Sequence, residues 1–234
     1  MTEAPAADSR QKGIIDAPWP VVALIAAMAI IHLALYLGGE GWQDWAFAVF
    51  AFIPAVVSGG VAEMVPGSAW WRFLTHAFLH GDWMHLLFNC IWLLVFGTVT
   101  ARRLGAVRFF ALFLMSVLGG AAATLARNWG EVIFLIGASG GVSGLLAAAI
   151  PVMYGRKRHS DHRALGPLEL FTDRPALMFM ALWLGLTLVS GSTGLLVPGQ
   201  PGNIAWEAHL GGFVAGLLAF YLLGRRPIAP HPEL

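Results

Sequence analysis

Six stretches of the chain, about 20–37, 84–99, 107–126, 139–154, 176–190 and 205–223, run for fifteen to twenty residues with almost no charge. A helix needs roughly 20 apolar residues to cross the hydrocarbon core of a bilayer, so each is long enough, or nearly so, to span. A seventh apolar run, 45–57, is shorter and is interrupted by Pro54. Its neighbouring aromatics (Trp42, Trp45, Phe47, Phe50, Phe52) suit a segment lying in the membrane interface, and the alternative is a broken seventh span. Composition agrees with spanning. Only 12% of the 234 residues are charged and 58% are hydrophobic, whereas a soluble domain carries about 25% charged residues. The chain therefore reads as an all-α, polytopic membrane protein held in the lipid bilayer.

Charge asymmetry orients it. With the N-terminus inside, Arg10, Lys12, Arg102, Arg103, Arg108, Arg156, Lys157, Arg158, Arg163, Arg174, Arg225 and Arg226 all fall on the inner side. Only Arg72 and Arg127 of the fourteen basic residues fall outside, as the positive-inside rule demands. A seventh span would put the downstream clusters on the opposite side from the N-terminal pair. The expectation is six spans with both termini cytoplasmic: a short polar segment at 1–18, a six-helix domain at 19–224 and a short tail at 225–234. The polar N-terminal residues carry both signs of charge, unlike a transit peptide. The first apolar run has no cleavage signature and reads as an uncleaved helix. One cysteine, Cys90, excludes an internal disulfide and a thiol metal cluster. A net charge of +1 gives no reason to expect nucleic acid as a partner, and the oligomeric state stays open.

Polar side chains within spans are costly and mark function by default. The second run carries His85 and Asn89, preceded by His76 and His80; the fourth begins Gly137-Ala-Ser139-Gly-Gly-Val-Ser143-Gly144; the sixth contains Ala208-His209-Leu-Gly-Gly-Phe-Val-Ala-Gly216. Counted from the basic inner ends at about 1.5 Å per residue, Ser139 lies ~23 Å up, His209 ~21 Å, His85 ~23 Å and Asn89 ~17 Å. Three helices thus bring a serine, a histidine and a His/Asn pair to one level in the outer half of the membrane. The pairs Gly137/Gly141 and Gly140/Gly144, and the series Ala208/Gly212/Gly216, have the small-residue spacing that lets spanning helices approach closely. His209 shares the face of Gly212 and Gly216. If the fourth and sixth helices pack through these faces, Ser139 and His209 meet. Packing alone, with Ser139 a silent hydroxyl, is the bland alternative.

A serine needs a base to become a nucleophile, and histidine titrates in the right range. No carboxylate falls at that depth, and Glu207 points to a different side of its helix from His209, so a Ser-His dyad is expected. Unpaired N–H groups at the start of the fourth helix, with Asn89 and the His85 ring, would supply donors to an oxyanion. His76 and His80 are expected to hydrogen-bond within the outer loop. A metal or haem held by His76, His80 and His85 is the alternative, but the zinc-protease H-E-x-x-H is absent, and neither metal nor cofactor is expected. His32, alone in the first run, reads as structural.

Trp71-Arg72-Phe-Leu-Thr-His76, His85-x-x-x-Asn89, Gly137-Ala-Ser139-Gly and Ala208-His209-Leu-Gly-Gly, in this order, resemble the rhomboid family of intramembrane serine proteases. The resemblance runs from about Trp71 to Gly216. It implies a six-helix bundle around a short central fourth helix, in a multi-pass protein of a bacterial inner membrane that cleaves transmembrane substrate proteins. By the same resemblance Ser139 is the nucleophile, His209 the base, and His85 and Asn89 stabilise the oxyanion. Trp71 and Arg72 would stabilise the first outer loop. A non-catalytic rhomboid-like protein that binds membrane clients is the competing reading, against which both Ser139 and His209 are retained. Two positions depart from the pattern. Ser143 stands where an aromatic often packs on the catalytic imidazole, leaving His209 to be steadied by a hydrogen bond or by another ring. Ala101 stands where a glutamate often precedes the basic pair. Ser143 is also a second serine in a G-x-S-G setting, one turn deeper, and Ser139 is the preferred nucleophile.

Overall fold

A computed structural model describes residues 17–158, 161–193 and 205–224. The expected cytoplasmic tail, and all of the polar N-terminal segment but Ala17 and Pro18, lie outside the described residues. Pro18 and Pro20 flank the start of α1 (Trp19–Gly38), where a missing N–H leaves no intrahelical bond unmade. The first outer loop follows as α2 (Glu40–Phe50), the single turn α3 (Pro54–Val57), α4 (Ser68–Thr75) and a 3-10 turn at His76–Phe78. The aromatic run expected at the interface is therefore a helix of eleven residues broken at Ala51, too short to span, with Trp42 and Trp45 exposed.

The second apolar run is one continuous helix in three parts: α5 (Trp83–Trp92), a π-helical segment Leu93–Gly97, and α6 (Thr98–Leu104). Then come α7 (Ala106–Arg127), α8 (Ser139–Met153), α9 (Pro167–Leu170), α10 (Arg174–Thr193) and α11 (Trp206–Leu223). Between α8 and α9 the chain makes an antiparallel hairpin of two three-residue strands, β1 (Arg156–Arg158) and β2 (Asp161–Arg163), a small departure from an all-helical chain. Among the described residues, four helices are long and apolar enough to cross a membrane: Trp19–Gly38, Trp83–Leu104, Ala106–Arg127 and Trp206–Leu223. Ser139–Met153 and Arg174–Val189 are apolar but shorter. This is an integral, multi-pass membrane protein.

At the centre stands α8, every residue of which from Gly140 to Pro151 is buried. Glycine explains how so short a helix can be so enclosed. A methyl group on Gly212 would run into the Gly140 backbone, and one on Gly216 into the Gly144 backbone, so α8 and α11 touch main chain to main chain. On the third side, Gly119 of α7 faces Gly211, and Gly120 faces Ala208 and Gly140. The close approach expected between the fourth and sixth runs is thus met, with α7 completing a three-helix core. In lipid there is no hydrophobic gain from joining two apolar helices, so dispersion contact at this distance is the main attraction. By contrast α10 leans on its neighbours through rings, with Trp183 stacked on Phe213 at 4.9 Å and Phe179 edge-on to Phe96 at 6.2 Å.

The outer loop is tied to this core by polar bonds. Arg72, only 1% exposed, donates to Ala51 O at 2.6 Å and to Ala48 O. Trp71 Nε1 donates to Val49 O and Thr75 Oγ1 to Phe50 O. That segment in turn pairs with the stretch leading into α8: Phe52 and Leu135 exchange both backbone bonds, at 3.0 and 2.9 Å. Gly137 N–H then donates to His76 O at 2.9 Å.

Candidate active site

Ser139 is the first residue of α8. Its position there follows from the preceding turn. Gly137 takes a φ of 104°, a left-handed conformation that disfavours any side chain, and Ala138 turns back to helical angles before the helix begins. The first N–H groups of α8 have no carbonyl one turn back to bond, and they carry the positive end of the helix dipole. Ser139 therefore sits where backbone donors are available.

A cavity of about 390 Å³ opens beside it. Its polar lining comes from Asn89, Ser139, Ser143, Thr187 and His209, and its walls are aromatic and aliphatic, notably Trp92, Phe96, Phe179 and Trp183. Three of the four residues expected at one depth thus share a single cavity. Ser139 and His209 are half-buried, while Asn89 is 5% exposed. Asn89 Nδ2 donates to His85 O at 2.9 Å, which orients the amide from within its own helix.

His85 does not line the cavity but reaches the same end of the site through Gly137. A methyl group on Gly137 would lie 2.6 Å from His85 Nε2 and 3.8 Å from Asn89 Nδ2. The absent side chain is what admits both groups. Asp82 caps the start of the helix that carries them, its Oδ1 accepting from His85 N–H at 2.8 Å. Sequence reading passed over this aspartate, although an aspartate just before an apolar helical run is a recognised start signal.

Glu207, near His209 in sequence, is engaged elsewhere, accepting at 2.9 Å from Nδ2 of Asn128, the residue that caps the end of α7. Ser143, 5% exposed, lines the cavity one turn below Ser139. A ring does stand near: Trp183 shares the cavity wall with His209 and stacks on Phe213, one helical turn beyond that histidine. Among the described residues no group of three His, Cys, Asp or Glu side chains is arranged to hold a metal ion.

The loop histidines divide. His76 hydrogen-bonds as expected, Nδ1 to Arg72 O at 2.8 Å. His80, against expectation, has no partner for either ring nitrogen among the described residues. His32 is not isolated, since its ring meets Trp83 edge-on at 4.5 Å and His80 at 6.5 Å. Burial holds His76 down at about 4 and, with His85 and His32 beside it, His80 at about 3, so both are neutral at pH 7.

The rhomboid domain model matches residues 67–226, well over half of the chain and every residue that lines the cavity. The chain belongs to the rhomboid family. Its relatives include the proteins named rhomboid protease GlpG of Serratia proteamaculans (30% identical over 148 residues) and of Yersinia pestis strain Pestoides F (28% over 148). That of Photorhabdus laumondii is 28% identical over 148 residues. Each alignment covers 63% of this chain but only 46%, 46% and 45% of the respective relative, so the chain spans about half the length of the relatives it matches. The matched stretch contains the glycine-packed helices and the residues that line the cavity.

Proposed function

We propose that the protein is an intramembrane serine endopeptidase that cuts transmembrane substrate proteins within or near their spans, using Ser139 as nucleophile and His209 as general base. The observation that carries this reading is the shared cavity: a serine on the unpaired first turn of a buried helix opens onto the same space as a histidine and a buried amide. In the first step His209 takes the Ser139 proton as Oγ attacks the scissile carbonyl. The negative charge that develops on the carbonyl oxygen is met by the first N–H groups of α8, the Asn89 amide and the His85 ring. His209 then returns the proton to the leaving amine, and water completes hydrolysis of the acyl-enzyme by the same route. No carboxylate takes part, so the pair works as a dyad.

Reading α8 and α10 as spans gives six in all, with both termini cytoplasmic by the positive-inside rule, in a bacterial inner membrane. A short α8 is compatible with that. Its N-terminus ends below the outer surface, where irregular backbone is tolerated because it lines a cavity that admits water. Substrates are helices that unwind locally, since a peptide bond must leave its own helix to reach Ser139.

Purified protein should cleave a model transmembrane substrate, and Ser139→Ala should abolish cleavage with an unchanged thermal midpoint. A fluorophosphonate should label Ser139 and not Ser143, as read by mass spectrometry. Undiminished cleavage by Ser139→Ala, or label on Ser143, would overturn the assignment. The same variant separates proteolysis from mere client binding, which needs no hydroxyl at that position.

A further inference from the structure

Of the buried histidines that the proposed mechanism leaves unused, His80 is the one whose two ring nitrogens are both buried without a hydrogen-bond partner among the described residues. It lies in the turn between the 3-10 segment and α5 and is 2% exposed. The Phe78 backbone favours the protonated ring without meeting hydrogen-bond geometry. A carbonyl could in any case satisfy only the N–H, so the ring's acceptor nitrogen would still lack a donor. Buried polar groups in native proteins are nearly always met by protein or by ordered water. Two further imidazoles stand close by: His85 at 5.1 Å and His32 at 6.5 Å between ring centroids. Neither of these rings is directly bonded to His80. His32 is itself 7% exposed and braced edge-on against Trp83.

We propose that ordered water joins His32, His80 and His85 into one hydrogen-bonded chain, in which His80 and His32 are positioning residues that fix the tautomer and tilt of the His85 ring. A neutral imidazole donates from one nitrogen and accepts at the other, and the partner of one nitrogen decides which form the other takes. His85 presents Nε2 toward Gly137, two residues from Ser139. To donate to an oxyanion there, Nε2 must carry the proton and Nδ1 must accept. A donor reaching His85 from the His80 side enforces that form. His80 is neutral at pH 7 and so has one donor and one acceptor to pass along, while His32, anchored in α1, terminates the chain from a different helix. The inference rests on the proteolytic reading for its consequence in catalysis, but the chain itself is a property of the folded protein.

The test uses the whole protein in detergent. His32→Phe keeps an aromatic against Trp83 while removing both nitrogens, and His32→Gln restores a polar partner. His32→Phe should lower kcat about tenfold, the size of one lost hydrogen bond in the transition state, with KM and thermal midpoint unchanged; His32→Gln should recover most of it. Nitrogen-15 NMR of histidine-labelled protein should show His85 as a single tautomer in the parent and as a mixture in His32→Phe. Wild-type kcat in His32→Phe, or equal losses in both variants that follow the thermal midpoint, would reduce these histidines to packing and overturn the proposal. A parent protein that neither cleaves nor takes the fluorophosphonate would sink the proteolytic reading instead. The nitrogen spectra would still decide whether the chain exists, since an unchanged His85 tautomer in His32→Phe rejects it under either outcome.

Discussion

At Gly137 the site depends on a group that is missing. The residue combines a φ of 104° with contact to His85 Nε2, so an added methyl group meets two penalties together. The backbone strain alone is about 1–3 kcal/mol, and relief requires moving either the start of α8 or the His85 ring. Gly137→Ala should therefore reduce cleavage by at least about tenfold in a protein whose helical content is unchanged. Cleavage kinetics and circular dichroism on the same preparation check this, and full activity would mean that His85 and the Ser139 turn are not coupled. Ser139, Asn89 and His209 were legible in the sequence because hydrocarbon makes a polar side chain costly, so each stands out from its run. Asp82 and His32 were not. A capping aspartate looks like any loop acid until the first turn of α5 is seen, and His32 gains its meaning only from rings brought to it by other segments.

The outer loop acts at the scale of an element, as a strap that sets where α8 begins. Arg72 holds the Ala48–Ala51 carbonyls, Phe52 pairs with Leu135, and His76 O receives Gly137 N–H, so strain on the loop is passed directly to the turn before Ser139. Hydrogen bonds to a charged group contribute about 1.5–3 kcal/mol. Arg72→Ala, which also leaves buried carbonyls unpaired, should lower the thermal midpoint by several degrees and reduce turnover, measured by a melting assay alongside cleavage. The resemblance implies that the Trp71-Arg72 pair stabilises this loop, and the bonds to Ala48, Val49 and Ala51 are the physical means. The same loop carries a pH dependence. His76 and His80 are held at about 4 and about 3 when folded, below the ordinary 6.5. The unfolded chain takes up protons first as pH falls, so stability present above pH 6.5 is lost progressively toward about pH 4. The melting midpoint should decline between pH 7 and about pH 4.5; a flat profile there would contradict two buried neutral imidazoles.

For the molecule as a whole, apolar runs predicted helices well and their lengths less well, because a run of leucine and alanine does not announce where a cap will fall. The second helix begins one residue before its predicted start and continues through Leu104, and α8 is the most enclosed element although shorter than each of the four helices long enough to span. Small residues foretold the meeting of α8 and α11, yet gave no sign that α7 would join them, since Gly119 and Gly120 stand side by side and not four apart. Nothing in the apolar pattern distinguished the wider turn at Leu93–Gly97 from ordinary helix either. That turn sets the angular phase between the two halves of the second span. Above it, Asn89 faces the cavity; below it, Thr100 bonds Leu145 O of α8 at 3.1 Å. A π turn accommodates one extra residue, and one residue of α-helix is a rotation of about 100°. Removing Val95 would close the turn to regular pitch, so the inner half could keep its seat on α8 only with His85 and Asn89 swung out of register. Such a deletion should leave a folded membrane protein that has lost its cleavage and its fluorophosphonate reactivity: the wider turn works as a fixed gear between packing below and chemistry above.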